Sequence, residues 1–280
     1  MNPKISVIIV NDYTEANLEH CLRSLHVATG QVVEIILVDN SPGRGAEKIL
    51  KYSGLPGHYF PQAETLNFSQ AANFGAQHAS GEFLCFLAPT TILEAKALDR
   101  LINWTESHPR TVAGPRELDQ HGRPLITVEP FITRRHVLGV HLLSPYTWVH
   151  WLRTAFSWLV PVFRFAHLGH HATHPQRVPI LSGSCLVMSR SIWHEVGEWH
   201  EELAHFGLTS EWFERARDFG VTAWYIPEAV VWHELLPVTP HSGSTPHGRA
   251  WFARRFGIVT MIFLTLVVWI EHRLRLHGRN

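Results

Sequence analysis

Short apolar runs and helical repeats alternate along the first 110 residues. The runs are rich in β-branched residues and predict buried strands at residues 4–10, 34–38 and 83–87. Apolar or small side chains recur at helical spacing and predict helices over residues 14–26, 68–79 and 91–107. This alternation with short loops predicts an α/β fold in which helices flank a mostly parallel, Rossmann-like sheet.

The second half of the chain is less regular. Residues 178–190 are typical of a strand, and residues 191–197 and 209–219 are typical of helices. Two short apolar segments, at 224–227 and 230–233, predict strands that close the sheet.

Three loops follow the predicted strands of the first half. Ligands of open parallel sheets bind beyond the carboxyl ends of the strands, so the loops of interest are Asn11–Thr14, Asp39–Gly43 and Ala88–Thr91. Neither a Walker loop nor a GxGxxG sequence follows the first strand. Nucleoside triphosphatases and dinucleotide-dependent enzymes are therefore disfavoured.

Composition narrows the class of protein further. The chain has 280 residues, of which 45% are hydrophobic, which suits one large domain or two small ones. Its 24 basic and 24 acidic residues cancel, so we expect no nucleic acid partner. Three cysteines without CxxC spacing exclude a zinc ribbon and a disulfide framework, and they fit a reducing compartment. We expect no signal peptide, because residues 1–4 lead directly into the first strand.

Charge is unevenly distributed along this neutral chain. Residues 130–194 contain no acidic residue, and the segment 134–166 is basic and rich in Trp and Phe. Its helical repeat predicts either a membrane-surface helix or a helix packed on the core. Residues 249–275 contain a run of 15 uncharged residues between pairs of Arg. That run is shorter than the roughly 20 residues of a membrane span, so we expect an interfacial C-terminal helix, with a buried helix as the alternative.

Four segments carry a resemblance to a known family, in the same order and at similar distances. They are residues 5–11, residues 35–41, residues 67–75 with 79–84, and residues 181–185 with 197–201. Together they resemble the family 2 glycosyltransferases of the GT-A fold, especially rhamnosyltransferase-like members that build bacterial surface polysaccharides. The resemblance implies a nucleotide-sugar donor, such as a UDP- or dTDP-sugar, bound at the carboxyl ends of the strands.

Nucleotide contacts follow from the same resemblance. It implies that Val10, Asn11, Asp39 and Asn73 bind the nucleotide, with Thr90 near the diphosphate. In relatives the Asp at position 39 contacts the base. The alternative from the residues alone is an Asx turn, in which Asp39 bonds to its own backbone.

The chain departs from the family pattern where the family has its carboxylates. Thr90 stands where relatives have a metal-binding Asp, so a divalent cation such as Mg²⁺ or Mn²⁺ would lack its usual ligand. Leu208 and Thr209 stand in place of the family's Glu-Asp pair with the catalytic base. Glu211 and His205 are the candidate replacements for this base. His233 follows the last strand, where relatives place a residue that faces the metal or the diphosphate.

The resulting expectation is a glycosyltransferase for cell-surface glycans, with a lipid-linked or polysaccharide acceptor. Residues 1–110 would form the nucleotide-sugar-binding half, residues 111–240 the acceptor-side half, and residues 241–280 a basic, apolar tail. The basic aromatic segments would hold the protein at the cytoplasmic face of the cell membrane, as a peripheral or monotopic protein. The alternatives are a degenerate GT-A module that binds a sugar nucleotide or a partner enzyme without turnover, and a membrane-associated scaffold.

Overall fold

A computed structural model describes residues 3–43, 45–125, 127–129, 172–181, 184–202 and 208–234. The strands in chain order are β1 (Ile5–Asn11), β2 (Val33–Asp39), β3 (Gly57–Pro61), β4 (Phe83–Leu87), β5 (Thr91–Leu93), β6 (Thr111–Leu118), β7 (Val128–Glu129), β8 (Gln176–Val178), β9 (Ile180–Leu181), β10 (Cys185–Ser189) and β11 (Thr222–His233). The helices are α1 (Glu15–Ala28), α2 (Ala46–Ser53), α3 (Phe68–His78), α4 (Ala97–Ser107), α5 (Arg190–Val196) and α6 (Leu208–Asp218).

The first half of the chain forms a parallel sheet in the order β3-β2-β1-β4. Every residue of β2 is buried, because helices cover both faces of this part of the sheet. The predicted strands β1, β2 and β4 are therefore confirmed. The polar residues Asn11 and Asp39 pair in register at the carboxyl ends of β1 and β2.

The sheet continues through β10 in the order β4-β10-β6-β11-β5, with β8 also paired to β11. β10 runs antiparallel to both of its neighbours, β4 and β6. Because two reversals restore the original direction, β6 and β11 run parallel to β1 and end at the same edge. The predicted α/β class is confirmed, while the sheet is mixed beyond β4.

Two hydrophobic clusters cover the two faces of this sheet. One joins β1 and β4 to α3, α5 and α6, and the other joins the same strands to α1, α2 and α4. The first layer packs closely at Gly75 of α3, where an added Cβ would lie 2.6 Å from Ile8 Cγ2. This fixes the amino end of α3 over the carboxyl edge of the sheet.

Several elements differ from the sequence predictions. The elements α2, β6 and β7 were not predicted, and the strand predicted over residues 178–190 is divided among β8, β9 and β10. Residues 91–93 form strand β5 instead of starting a helix, because they pair with the distant strand β11. The two short strands predicted at 224–233 are one strand, β11, with an irregular register between Ile226 and Val230. Pro227 lies in this gap and has no N–H to donate to a neighbouring strand. The exposed edge strand β3 has no continuous apolar run and was not predicted.

Within the described ranges, no helix is long and apolar enough to cross a membrane. The basic aromatic segment 134–166 and the C-terminal helix predicted within 249–275 lie outside the described residues.

Candidate active site

A buried polar cluster joins the carboxyl ends of β1, β2 and the edge strand β3. Asn11 Nδ2 donates to Asp39 Oδ1 at 2.8 Å and to Ser41 Oγ at 3.1 Å. The Tyr59 hydroxyl donates to Asp39 Oδ2 at 2.8 Å. Burial and this carboxylate raise the pKa of Tyr59 to about 12, because both disfavour the phenolate. We call Asn11, Asp39, Ser41 and Tyr59 the Asp39 cluster.

Asp39 is fully buried and uses both oxygens within this cluster. The Ser41 N–H donates to Asp39 Oδ1 at 3.0 Å, so the Asx-turn alternative is formed in the structure. The Ser41 hydroxyl also donates to Oδ1, at 3.1 Å, so among the described residues Oδ1 accepts three hydrogen bonds and Oδ2 accepts one, which leaves a lone pair of Oδ2 for one more donor. The contact between Asp39 and a base therefore stays a prediction. Val10 is half-buried beside this cluster and packs against the α3 layer.

Tyr13, which the sequence reasoning missed, lies at the rim of the Asp39 cluster. Its backbone adopts a left-handed conformation with φ of 57° and its N–H donates to Ser41 Oγ at 3.1 Å. The residue is 65% exposed. A bulky residue in this conformation is unusual, and such strain concentrates at functional sites. An aromatic residue in a loop that follows a buried strand was the available signal.

Asn73 ties α3 to the segment that follows α5. Its side-chain amide donates to Trp199 O at 2.9 Å and accepts from the Trp199 N–H at 2.9 Å. Asn67, at the amino end of α3, donates to Glu201 O at 2.8 Å. These bonds hold residues 199–201 against α3 at the carboxyl edge. Direct contact between Asn73 and a nucleotide stays a prediction.

The candidate base Glu211 lies in the first turn of α6 and is held by Arg215. The guanidinium donates from Nε to Glu211 Oε1 at 2.6 Å and from Nη2 to Oε2 at 3.1 Å. The same guanidinium binds the carbonyl oxygens of Val196 and Glu198, both at 2.6 Å. His200 lies beside this pair, with Nε2 4.0 Å from Glu211 Oε1. The other candidate base, His205, lies outside the described residues.

A second buried polar cluster lies where β6, β10 and β11 meet the carboxyl edge. His233 ends β11, and its Nδ1 lies 3.1 Å from Glu117 Oε2. The Ser184 hydroxyl donates to Glu117 Oε1. We call Glu117, Ser184 and His233 the Glu117 cluster. The sequence reasoning selected His233 but missed Glu117, which lies in β6, a strand that was not predicted.

Thr90 adjoins the Glu117 cluster through the backbone. Its carbonyl accepts the N–H of Glu234, the residue after His233, at 3.1 Å. The Ser184 carbonyl accepts the N–H of Ala88 at 2.7 Å. The loop that carries Thr90 is thus attached on both sides to the segments that carry Ser184 and His233.

The two clusters lie at opposite ends of one sheet edge. Three strand spacings of about 4.8 Å separate β1 from β6, which places the clusters on the order of 14 Å apart.

The side chains of the Glu117 cluster suit a divalent cation whose other ligands are supplied by the substrate. Within the described part of the chain, no three His, Cys, Asp or Glu side chains converge as a metal site. Mg²⁺ and similar cations commonly bind through one or two protein groups and the phosphates of a substrate. His233 fits this smaller role, because Glu117 binds its Nδ1 and the other ring nitrogen remains for a cation, while Thr90 offers no carboxylate.

Comparison with known proteins relates this architecture to sugar transfer. Residues 5–197 match the sequence profile described as Glycosyl transferase family 2. The chain is also similar to the amylovoran biosynthesis glycosyltransferase AmsE of Erwinia amylovora, with 28% identity over 125 residues. That match covers 42% of this chain and 47% of the relative, so the chain spans about half the length of the relative.

Solved structures with the same fold include three glycosyltransferases. GalNAc-T7 with UDP, GalNAc and Mn²⁺ has a TM-score of 0.61 and 18% identity, over 89% of this chain and 48% of that protein. The mannosyltransferase PcManGT of Pyrobaculum calidifontis with GDP-Man and Mn²⁺ has a TM-score of 0.56 and 17% identity, over 91% and 61%. S. aureus TarS 1–349 with UDP-GlcNAc has a TM-score of 0.56 and 14% identity, over 86% and 61%. These similarities confirm the predicted GT-A fold.

Proposed function

Because this chain belongs to glycosyltransferase family 2, we propose that it transfers a sugar from a UDP- or dTDP-sugar to a lipid-linked or polysaccharide acceptor. The observation that carries the proposal is the pair of polar clusters at one carboxyl edge of a GT-A sheet. The similarity to a protein of amylovoran biosynthesis supports a role in cell-surface glycan synthesis.

In this proposal the donor lies along the sheet edge. The heterocycle of the nucleotide binds at the Asp39 cluster, where Asp39 accepts a hydrogen bond from a pyrimidine N–H and the exposed ring of Tyr13 packs on the base. The diphosphate lies near Thr90 and the Glu117 cluster. Asn73 acts through the backbone of Trp199, which it holds near the donor sugar.

Transfer requires one bond to form and another to break at the anomeric carbon. The acceptor hydroxyl oxygen bonds to this carbon, the bond from the carbon to the diphosphate oxygen breaks, and the acceptor proton passes to a base. Glu211 and His205 are the proposed bases. In the described structure Glu211 accepts two hydrogen bonds from Arg215, one on each oxygen, so in a base role it would accept the proton at a second lone pair of either oxygen.

The departing nucleoside diphosphate also needs positive charge beside it. A divalent cation held by His233 together with the diphosphate would supply that charge. Glu117 and Ser184 hold the imidazole of His233 at the sheet edge.

We place the protein at the cytoplasmic face of the cell membrane. The basic aromatic segments 134–166 and 249–275 support this location, because such segments bind anionic lipid surfaces, where a lipid-linked acceptor is found. Deletion of residues 249–280 should release the protein from membranes on fractionation. Undiminished membrane association would contradict an anchoring role of this tail.

A second candidate function is a module that binds a sugar nucleotide without turnover. Two observations favour it: Thr90 offers no carboxylate to a cation, and Arg215 occupies both oxygens of Glu211. In this case the Asp39 cluster would still bind a nucleotide, so binding alone does not separate the two functions.

The deciding experiment measures binding and turnover on the same preparation. We expect calorimetry to show binding of UDP or dTDP, and the sugar nucleotide to be hydrolysed or its sugar transferred in the presence of Mn²⁺. Glu211→Gln should lower turnover at least about 100-fold with unchanged nucleotide affinity, whereas the control Asp218→Asn, at the far end of α6, should not. Binding without turnover would favour the module, and no binding would overturn both functions.

A further inference from the structure

Glu117 is a carboxylate buried among apolar strands, and its burial there requires a physical explanation. The residue is 2% exposed, at the carboxyl end of β6. Thr91, which pairs with His233 between β5 and β11, is also buried, and its hydroxyl has no hydrogen-bond partner among the described residues. Burying a polar group destabilises a core unless the group is hydrogen-bonded, so an unpaired buried hydroxyl beside His233 calls for an explanation.

We propose that Glu117 is the positioning residue of His233: it binds Nδ1 of the imidazole and leaves Nε2 as the ligand of a divalent cation carried by the donor's diphosphate. This inference rests on the proposed function, which supplies the diphosphate. It assigns to β6 the carboxylate that the loop around Thr90 lacks.

The contact itself fixes the chemistry of the imidazole. A carboxylate only accepts hydrogen bonds, so the Nδ1 that lies 3.1 Å from Glu117 Oε2 carries the proton. A neutral imidazole protonated at Nδ1 has its lone pair at Nε2. Metal-binding histidines usually have this arrangement, with the second ring nitrogen donating to a carboxylate or a carbonyl.

The carboxylate is itself held in place. The Ser184 hydroxyl donates to Glu117 Oε1, and the Ser184 carbonyl accepts the N–H of Ala88. Ser184 therefore connects Glu117 on β6 to the loop that carries Thr90, while β11 brings His233 to the second carboxylate oxygen of Glu117, Oε2. Four parts of the sheet edge that are distant in sequence thus fix one imidazole orientation.

The first test needs no ligand and therefore does not depend on the proposed function. Nitrogen NMR of the His rings, with His233 assigned by its absence in His233→Ala, should show Nδ1 protonated in the wild type. Glu117→Gln, which keeps an acceptor, should retain this tautomer, and Glu117→Leu should lose it. The control Glu34→Gln removes a buried carboxylate at the opposite edge and should leave the His233 signals unchanged. An unchanged His233 tautomer in Glu117→Leu would overturn the positioning role.

The second test is a double-mutant cycle on UDP affinity, with and without Mn²⁺. Glu117→Leu should weaken binding about tenfold with Mn²⁺, as is typical for loss of a carboxylate behind a metal-binding His, and hardly at all without it. In the His233→Ala background the same change should have little further effect. Additive losses of UDP affinity in the double mutant, or equal losses with and without Mn²⁺, would overturn the inference. If UDP fails to bind the wild type, the proposed function fails while the NMR result still decides the positioning role.

Discussion

The Asp39 cluster and the Glu117 cluster place a buried carboxylate at the same sheet edge, but they surround it differently. Asp39 accepts hydrogen bonds from two side chains of neighbouring parallel strands, and from the N–H and the hydroxyl of Ser41 in the loop that follows β2. Glu117 binds the Ser184 hydroxyl and the partly buried imidazole of His233. The hydrogen bonds of Asp39 mainly stabilise a loop conformation, while those of Glu117 orient the imidazole of His233, which can itself bind a ligand.

The largest expected effect tests the structural side of this comparison. Asp39→Ala leaves the donors of Asn11, Ser41 and Tyr59 without their acceptor in a buried site. We expect a loss of roughly 3 kcal/mol or more in the free energy of unfolding, at least twice the loss in Glu117→Leu. Urea denaturation measures both values.

Nucleotide affinity should fall in the same Asp39→Ala protein, provided that it is assayed below its unfolding transition. Asp99→Ala is a suitable control, because Asp99 accepts from Thr29 and Gly30 at a partly exposed site away from the sheet edge. A stable Asp39→Ala protein with unchanged nucleotide affinity would mean that Asp39 neither holds the loop nor contacts the base.

Glu34, a carboxylate at the opposite edge of the sheet, has a purely structural role and serves as a reference for the two clusters. Glu34 is buried between Ser6 and Ser80 at the amino ends of the strands. Burial alone would raise the pKa of Glu34, but the hydrogen bonds from Ser6 and Ser80 outweigh it and hold the pKa below its usual value.

Glu34 therefore stabilises the fold above pH 4.5, the ordinary pKa of the group, and this contribution is lost as the pH falls through the lower folded-state pKa. We expect Glu34→Gln to lose about 2 kcal/mol of unfolding free energy at neutral pH, and to lose less stability than the wild type on acidification. Urea denaturation between pH 7 and pH 3 measures this. If the unfolding free energies of the two proteins fell in parallel with pH, the structural role of the Glu34 carboxylate would be contradicted. The nucleotide affinity of Glu34→Gln at pH 7 should equal that of the wild type.

The sequence predicted the Asp39 side of the site better than the Glu117 side. Asn11 and Asp39 each end a buried apolar run, so a local pattern placed them at the carboxyl edge of a parallel sheet. Glu117 lies inside β6, and its partner His233 is 116 residues away in the chain. No local pattern records such a contact, because antiparallel β10 and the pairing of β6 with β11 create it.

The same physical reason explains the secondary structure that was missed. The first strands and α1 and α3 have strong periodic patterns, and they were predicted within a few residues. β5 is three residues long, and its pairing with β11 decides its conformation over the helical pattern that follows it. The predicted base contact, catalytic base and membrane segments depend on ligands or on residues outside the described ranges, so they stay predictions.

A substitution at Thr90 sharpens the comparison at the Glu117 end. Thr90→Asp adds a carboxylate beside the segment that follows His233. Without a cation it adds negative charge near Glu117 and should lower stability. With Mn²⁺ it should strengthen UDP binding by about tenfold, or 1.4 kcal/mol. Calorimetry with and without Mn²⁺ measures this, and a Thr90→Asn protein controls for size. Equal UDP affinity of the Asp and Asn proteins in Mn²⁺ would place the cation, or the diphosphate, elsewhere.

The smallest effect concerns the rim of the Asp39 cluster, where strain and exposure coincide. Tyr13 holds a left-handed backbone that glycine adopts without penalty, so Tyr13→Gly should raise the free energy of unfolding by up to about 1 kcal/mol. If the ring packs on the base, the same protein should bind UDP about tenfold more weakly, since loss of aromatic stacking on a base costs about 1–3 kcal/mol. Tyr52→Ala removes an even more exposed ring from α2 and should change neither quantity. A Tyr13→Gly protein that is more stable and binds UDP as well as the wild type would show that the strained loop makes no contact with the nucleotide. The Asp39 cluster would then have a structural role only.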